Sequence, residues 1–348
     1  MSPSELGRRL GAPGFGLPAW LGAGDDSTTG PLIVLAESAG TNVMDLMAAC
    51  RLALDDAGRS ARLVVGDDRR DPERAAALAA AAAPWADCCI GHFGSRTARP
   101  ASRIYGERGV PFLAPGCSAD DLCGPHAPTT LQLFGRDAEQ RACLADAARA
   151  AGGSAVIVGQ TGNYGADLAQ GLAADLKDIG VLACSLLSLD ELERKPPSPG
   201  AGARALILCG SKEFARAGLA ALAGRGPQAA LLLSDDSFGA DFSPLLPVGA
   251  RGGVAFLRET SATLLDQDAD RLRRRAQRML GTAPGAYFET SYLAVRAFVE
   301  AWARAGPADR AGWRESLLSQ RWPTPFGELS LSPEGRLRGH VWALRPFP

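Results

Sequence analysis

"CIGHFGSRTARPASRIYGERGVPFLAPGCSADDL", residues 89–122, decides the fold, because it reads as strand, turn, helix, strand and turn within one short stretch. "DCCIGHF" and "VPFLAP" are short apolar runs bounded by Gly, Pro and polar turns, and "SRTARPASRIYGERG" between them is long enough for a helical crossover. Strands of that kind, joined by helices, are buried on both faces in a parallel sheet.

The same rhythm extends in both directions. "PLIVLAES" reads as a strand and "NVMDLMAACRLALDDAG" as a helix stopped at Gly58; "ARLVVGDD" and "DPERAAALAAAAA" form the next pair, with Pro72 near the first turn. A second series starts near Asp137. It runs through the strands "SAVIVGQ", "VLACSLLSL", "ARALILCG" and "AALLLSDD", with "AEQRACLADAARAAGG", "GADLAQGLAADLKDIG" and "SKEFARAGLAALAGRG" as helices. Two doubly wound α/β halves are therefore expected, and 348 residues is the length of two such domains. "RKPPSPGAGA" (194–203) reads as a surface loop, since Pro and Gly break helices and central strands. The last quarter leaves the rhythm: "DADRLRRRAQRML" and "AYFETSYLAVRAFVEAWARAG" are helical by period, and "TPFGELSLSPEGRLRGHVWALRP" alternates like a hairpin turning at "PEG".

Lys and Arg number 37 against 38 Asp and Glu, a net charge of -1. That balance argues against nucleic acid or an anionic membrane as partner, and "RLRRR" (271–275) reads as the solvated face of a helix. The longest apolar segments are Ala-rich and broken by Pro, so no membrane span is expected. The first thirty residues hold no continuous apolar core of a signal peptide, which leaves either a secreted protein whose leader is missing from this chain or a cytosolic one. Eight cysteines are too few for a disulfide scaffold; Cys117 and Cys123 share one loop and are the pair placed to close a small ring.

Motifs for chemistry are missing or misplaced. "GAPGFG" (11–16) precedes the first strand, whereas a dinucleotide fingerprint follows one, and no phosphate-binding Gly-rich loop ending in Lys-Ser/Thr occurs. His92, His126 and His340 are scattered without metal-ligand spacing, so neither cofactor nor metal is expected. A hydrolase would need Ser95 as nucleophile with His92 or His126 as base; the Gly-x-Ser-x-Gly elbow is absent, and a histidine at a strand end is more commonly structural.

In open α/β sheets ligands collect beyond the carboxyl ends of the strands, where this chain places "ESAGTN", "HFGS", "PGCSADD", "QTGNYG", "GSKEF" and "SDDSFG". Hydroxyls at helix N-termini, Ser95 and Ser118, suit an anion such as a carboxylate. Tyr164 and the pair Asp235 and Asp236 suit a cation such as an ammonium, although "SDD" is equally a cap or turn. Phe93, Phe238 and Tyr287 offer apolar walls, and both phenylalanines are equally placed to be core.

"IGHFGSRTARPASRIY…GVPFLAP", together with "VVGDDRRDPERA", "VGQTGNYGADLAQGL", "GAYFETSYLAVRAFVEAW" and "TPFGELSLSPEGRLRG" in that order, resembles the branched-chain amino acid (Leu/Ile/Val)-binding solute receptors of ABC transporters, of the periplasmic-binding-protein type I fold. The resemblance covers nearly everything after residue 30. It implies two α/β lobes joined by a three-crossover hinge, with the ligand cleft between them: an irregular lead over 1–30, residues 31–135 plus 258–285 in the N-terminal lobe, 136–257 plus 286–325 in the C-terminal lobe, and 326–348 as a hairpin crossing back near the hinge. Carried over by position, it implies that Phe93, Gly94 and Ser95 line the first-lobe side and that Gly116, Cys117 and Ser118 help hold a carboxylate. Tyr164 then matches an aromatic of the second lobe, Asp236 the acid that meets an α-amino group, and Tyr287 an aromatic on the crossing helix. Ser211 falls where the family often has Tyr, and Arg69 or Arg70 falls where it has Cys, so a larger, aromatic or amide-bearing ligand is open beside leucine, isoleucine and valine.

The expectation is a monomeric extracytoplasmic binding protein without catalysis or cofactor, taking a small amino acid or related organic acid or amide and docking an ABC permease. A cytosolic ligand-sensing regulator of the amide-sensor type on the same fold is the alternative.

Overall fold

The computed structural model describes residues 15–16, 30–38, 41–152, 154–162, 164–178, 183–194, 204–222, 229–238, 241–259, 266–306 and 310–347. Most of the expected lead over 1–30 and of the loop over 194–203 lies outside them. The chain forms two units, Met1–Phe134 with Glu259–His340 and Gly135–Arg258 with Val341–Pro348.

In the first unit come β1 (Phe15–Gly16), β2 (Leu32–Ala36), α1 (Thr41–Ala57), β3 (Arg62–Gly66), α2 (Pro72–Ala82), β4 (Cys88–Gly91), α3 (Ser95–Glu107), β5 (Phe112–Ala114) and β6 (Thr130–Gln132). Their sheet order is β1-β3-β2-β4-β5-β6, with β2 to β6 all parallel and β1 antiparallel at the edge. All five residues of β2 are buried, as helices on both faces require. Local chemistry sets the boundaries: Asp71 caps α2 by accepting the Arg74 N–H at 2.7 Å, and Pro72 sits at the first helical position, where its missing N–H costs nothing. On α3, Ala98, Ala101, Ser102 and Tyr105 repeat at helical spacing as its buried face, and the alanines and Tyr105 enter a core with Phe112, Val110 and Leu122.

The second unit holds α4 (Asp137–Ala150), β7 (Ser154–Gly159), α5 (Tyr164–Asp178), β8 (Ala183–Leu187), α6 (Leu189–Arg194), β9 (Ala205–Cys209), α7 (Lys212–Ala221), β10 (Ala230–Leu233) and β11 (Gly252–Glu259). Its parallel strands run in the order β11-β10-β9-β7-β8. Each sheet therefore repeats one doubly wound pattern, in which the first strand is flanked by the second and the third.

The remaining elements are α8 (Asp266–Leu280), α9 (Phe288–Ala305), α10 (Arg310–Ser319), β12 (Trp322–Thr324), β13 (Gly327–Leu331), β14 (Leu337–Arg338) and β15 (His340–Pro346). β15 joins the edge of the second sheet beside β11, whereas β12 to β14 form a separate antiparallel sheet. Here the structure corrects the expected partition: 286–325 belongs to the first unit, not the second. The reason is packing, since the buried face of α9 lies on α1 and the Tyr292 hydroxyl donates to Asp56 Oδ2 at 2.9 Å. The "RLRRR" face is also less open than expected: Arg275 pairs with Asp56 at 2.7 Å and Arg273 with Glu289 at 2.6 Å. Cys117 and Cys123 are both free thiols, donating to Ser95 Oγ and to the Thr130 carbonyl instead of bonding to each other.

Candidate functional site

The strand order locates the chemistry. Where the order reverses, the helices leave the sheet in opposite directions and open a crevice at the carboxyl ends, between β2 and β4 in the first unit and between β7 and β9 in the second.

In the first unit, Glu37 and Ser38 follow β2, and His92 to Ser95 follow β4. The turn after β4 is specified by Gly91, at φ 140°, whose place a side chain could not take because its Cβ would strike the Ala36 carbonyl. His92 continues the turn at φ 48° and donates its backbone N–H to that same carbonyl. Gly94 is then the N-cap of α3, and lacking a side chain it leaves the first-turn N–H groups without a side-chain acceptor. Ser95, the first helical residue, is buried, and its Oγ receives only the weak Cys117 thiol donor at 3.8 Å. Ser118, buried in the loop after β5, makes no side-chain hydrogen bond among the described residues. An uncapped N-terminus of a 13-residue helix and two hydroxyls with donors to spare are a chemistry for an anion.

Phe93 and Tyr287 are buried and meet with ring centroids 5.0 Å apart, and Tyr287 meets Phe134 edge-on at 5.3 Å. Such pairs contribute roughly 0.5–1.5 kcal/mol each beyond their area. Gly116 makes this possible: a Cβ there would lie 2.6 Å from Phe93 Cγ. Phe93, Gly116 and Tyr287 are thus brought together, as a packed apolar wall. Gly94 is exposed, and Cys117 is wholly buried beside Ser95.

Sequence reasoning missed a buried polar cluster immediately beneath this turn. Glu37 accepts the Phe93 N–H at 2.8 Å through Oε2 and bonds the Ser38 hydroxyl at 3.2 Å through Oε1. The Arg70 Nε donates to Ser38 Oγ at 3.3 Å, the Arg70 backbone N–H to Asp68 Oδ1 at 2.9 Å, and Asp68 Oδ2 meets His92 Nδ1 at 2.9 Å. Burial, helped by the Asp68 charge, pushes Glu37 up to about 8 against the Phe93 N–H and Arg70, so near neutrality its carboxyl is protonated. Burial also pushes Asp68 upward, but the hydrogen bond and attraction of His92 and the Arg70 N–H outweigh that and hold it below the usual carboxylate range. The signal was present in "LAES" and "VVGDD", acids placed directly after apolar strands; periodicity does not say which of them turns inward.

This cluster corrects the hydrolase alternative. His92 directs Nδ1 to Asp68, its ring packs near Tyr105 and Phe112, and it makes no bond to Ser95 among the described residues. His126 is exposed and bonds the Asp121 carbonyl.

In the second unit, Tyr164 opens α5 half-buried, with its hydroxyl 3.3 Å from the Gly210 carbonyl, 3.1 Å from Ser234 Oγ and 3.3 Å from Asp235 Oδ1. Asp235 is the acid turned inward: it accepts Gln140 Nε2 at 2.7 Å, and burial together with the Asp236 and Asp137 charges pushes it up to about 7 against the Gln140 and Tyr164 bonds. Asp236, in the same short 3-10 turn, is half-exposed. Ser211 is the N-cap of α7, its Oγ accepting the Phe214 N–H at 3.2 Å and its own N–H donating to Gln160 Oε1 at 2.8 Å. Its oxygen is therefore already committed to the helix, a role that "GSKEF" signals through Ser before the first helical residue. Phe238 stacks on Phe256 at 5.1 Å.

Comparison with known proteins gives the same answer for the whole chain. The family model described as "Periplasmic binding protein" matches residues 32–345. A Leu/Ile/Val-binding protein homolog of Brucella abortus is 32% identical over 84 residues, which is 24% of this chain and 23% of that protein, so the match spans about a quarter of the relative's length. A substrate-binding protein from Desulfitobacterium hafniense, solved with leucine, superposes with a TM-score of 0.72 at 19% identity, covering 91% of this chain and 97% of that one. A solute-binding protein from R. palustris, solved with benzoate, gives 0.75 at 16% identity over 91% and 93% of the two chains. A branched-chain amino acid transporter protein from Streptococcus pneumoniae, solved with isoleucine, gives 0.74 at 13% identity over 91% and 100%. At those identities the superpositions establish a common fold, and with the family match extending from β2 to the last strand, this chain belongs to the periplasmic binding protein family.

Proposed function

We propose that the chain is the extracytoplasmic solute-binding component of an ABC importer, taking a small amino acid or a related organic acid or amide without chemical change. The observation that carries the reading is the uncapped N-terminus of α3 with the spare donors of Ser95 and Ser118 beside it. A carboxylate taken there accepts charge-assisted hydrogen bonds, each contributing roughly 1.5–3 kcal/mol. Phe93, held against Tyr287 and Gly116, is the apolar side of the site, and Gly94 and Cys117 keep the backbone close to the solute. From the second unit, Tyr164 and Asp236 supply an aromatic edge and a carboxylate for an ammonium, while Ser211 acts through the cap it makes. Groups from both units then hold one solute, so solute shifts the protein toward a closed population that a permease recognises. The relatives bound to leucine, isoleucine and benzoate support the solute class.

Native mass spectrometry of the purified protein would first show any solute carried along. Calorimetry against α-amino acids, aromatic carboxylates and amides then tests the assignment. Saturable binding of one carboxylate, weakened in Ser95→Ala and Ser118→Ala, is expected; no heat with any acid at millimolar concentration overturns the reading.

A further inference from the structure

A second recess lies in the first unit at the opposite ends of the strands. It has a volume of about 890 Å³ and is lined by the approaches to β5 and β6 (Pro111, Pro128, Thr129), by one side of α10 and by the β13–β14 hairpin. Ser95 and Ser118 follow the carboxyl ends of β4 and β5, whereas Pro111 and Thr129 precede β5 and β6, so the two places are separate.

The lining is mainly apolar, including Leu317, Leu318 and Leu331, yet it contains three guanidiniums, Arg108, Arg314 and Arg338, against the single carboxylate of Glu315. None of these arginines makes a side-chain hydrogen bond or close ion pair among the described residues. Two of the polar groups on the wall are moreover orphaned inside the protein: the Nε of half-buried Arg314 and the Oγ1 of Thr129 are buried without a partner. A buried donor left unsatisfied costs roughly 1–3 kcal/mol, which an acceptor entering the recess would recover. The volume falls within the range of roughly 300–1,000 Å³ typical of small-molecule sites, and an apolar wall with a few polar groups is their usual composition.

We propose that this recess binds a free fatty acid, its carboxylate taken by Arg314 and Thr129 and its acyl chain lying against the leucines. The chemistry selects among occupants. A peptide would bring backbone N–H and C=O groups that so apolar a wall leaves unpaired. A flat anionic membrane would call for a basic face, and this chain has a net charge of -1. A single-chain amphiphile with one anionic head needs only the two orphaned donors and the apolar volume.

The test titrates dodecanoate into the full protein, below its micelle concentration, by calorimetry. Saturation at one equivalent is expected, with dodecanol binding at least about tenfold more weakly, as the loss of a hydrogen-bonded charge requires. Arg314→Met and Thr129→Val should each weaken dodecanoate by about tenfold, and Leu318→Trp, which fills the recess without touching the head, should weaken dodecanoate and dodecanol alike. Melting temperatures of the variants separate misfolding from lost contacts. Absence of saturable binding, equal binding of dodecanol, or association only with anionic vesicles would each overturn the proposal. Solute binding at Ser95 and Ser118 stands or falls independently, because variants of the recess leave that end of the sheet unchanged.

Discussion

Replacing Glu37 with Gln tests the electrostatics beneath the turn after β4. The wild-type carboxyl has a folded value of about 8 against 4.5 in an exposed chain. Over that window the folded state holds a proton that the unfolded state has released, so stability falls as pH rises through it and levels off above the folded value. The slope is roughly 1.36 kcal/mol for each pH unit, which amounts to at most about 4 kcal/mol between about pH 5 and pH 8. Glu37→Gln mimics the protonated acid: the amide oxygen accepts the Phe93 N–H and the amide nitrogen donates to Ser38 Oγ, the two contacts Glu37 makes. At pH 5 the two proteins should therefore be nearly equal. At pH 8 the variant should be the more stable, by up to about 4 kcal/mol. Asp68, whose value is lowered, contributes stability above its unfolded value and loses it only as pH falls, so it acts outside this window. Asp235 titrates identically in both proteins and cancels in the difference. Calorimetric scans across the pH range resolve the transitions of the two units, which a single two-state fit would blur. Parallel curves for the two proteins, or a variant less stable at pH 8, would refute the assignment of a buried neutral carboxyl.

Gly116→Ala puts a Cβ 2.6 Å from Phe93 Cγ and must displace the ring or the loop; a loss of about 1–3 kcal/mol in stability is expected from urea unfolding, with a parallel loss of solute affinity. Ser118→Ala removes a hydroxyl with no internal partner among the described residues, so its melting temperature should stay within about 1–2 °C of wild type while carboxylate affinity falls by about tenfold. Asp235, raised to about 7 from 3.8, makes the second unit lose stability as pH climbs between those values, and Asp235→Asn should flatten that limb in the same scans. Tyr292→Phe leaves Asp56 with Arg275 but without the phenol donor at 2.9 Å; urea unfolding should show the first unit weakened by about 1 kcal/mol.

Much of the architecture was legible because it rests on local rules. Apolar runs of five residues between helices dictate buried parallel strands, and Asp71-Pro72 and Ser211 announce their helices as cap residues do. The candidate site was partly legible for the same reason: residues just after a strand must lie at its carboxyl end, which placed Phe93, Ser95, Ser118 and Tyr164 in a short search. Which of them turn inward was not legible. Adjacent residues in a tight turn differ in direction by backbone torsions of a few positions, and so Asp235 rather than Asp236 meets Gln140, and Phe93 packs instead of standing free.

The partition of the last quarter shows the same boundary. The apolar stripe of α9 declares that it must be covered, but a stripe does not name its cover; α1 and the Tyr292–Asp56 bond, 236 residues apart in sequence, are decided by packing. By itself, then, the sequence determined strands, helices, caps and the order in which they alternate, because those depend on neighbours within a few residues. Only the tertiary structure decided the Glu37–Asp68–His92 cluster, the neutral carboxyl within it and the guanidinium-lined recess, because burial and charge proximity are properties of residues the chain brings together from afar.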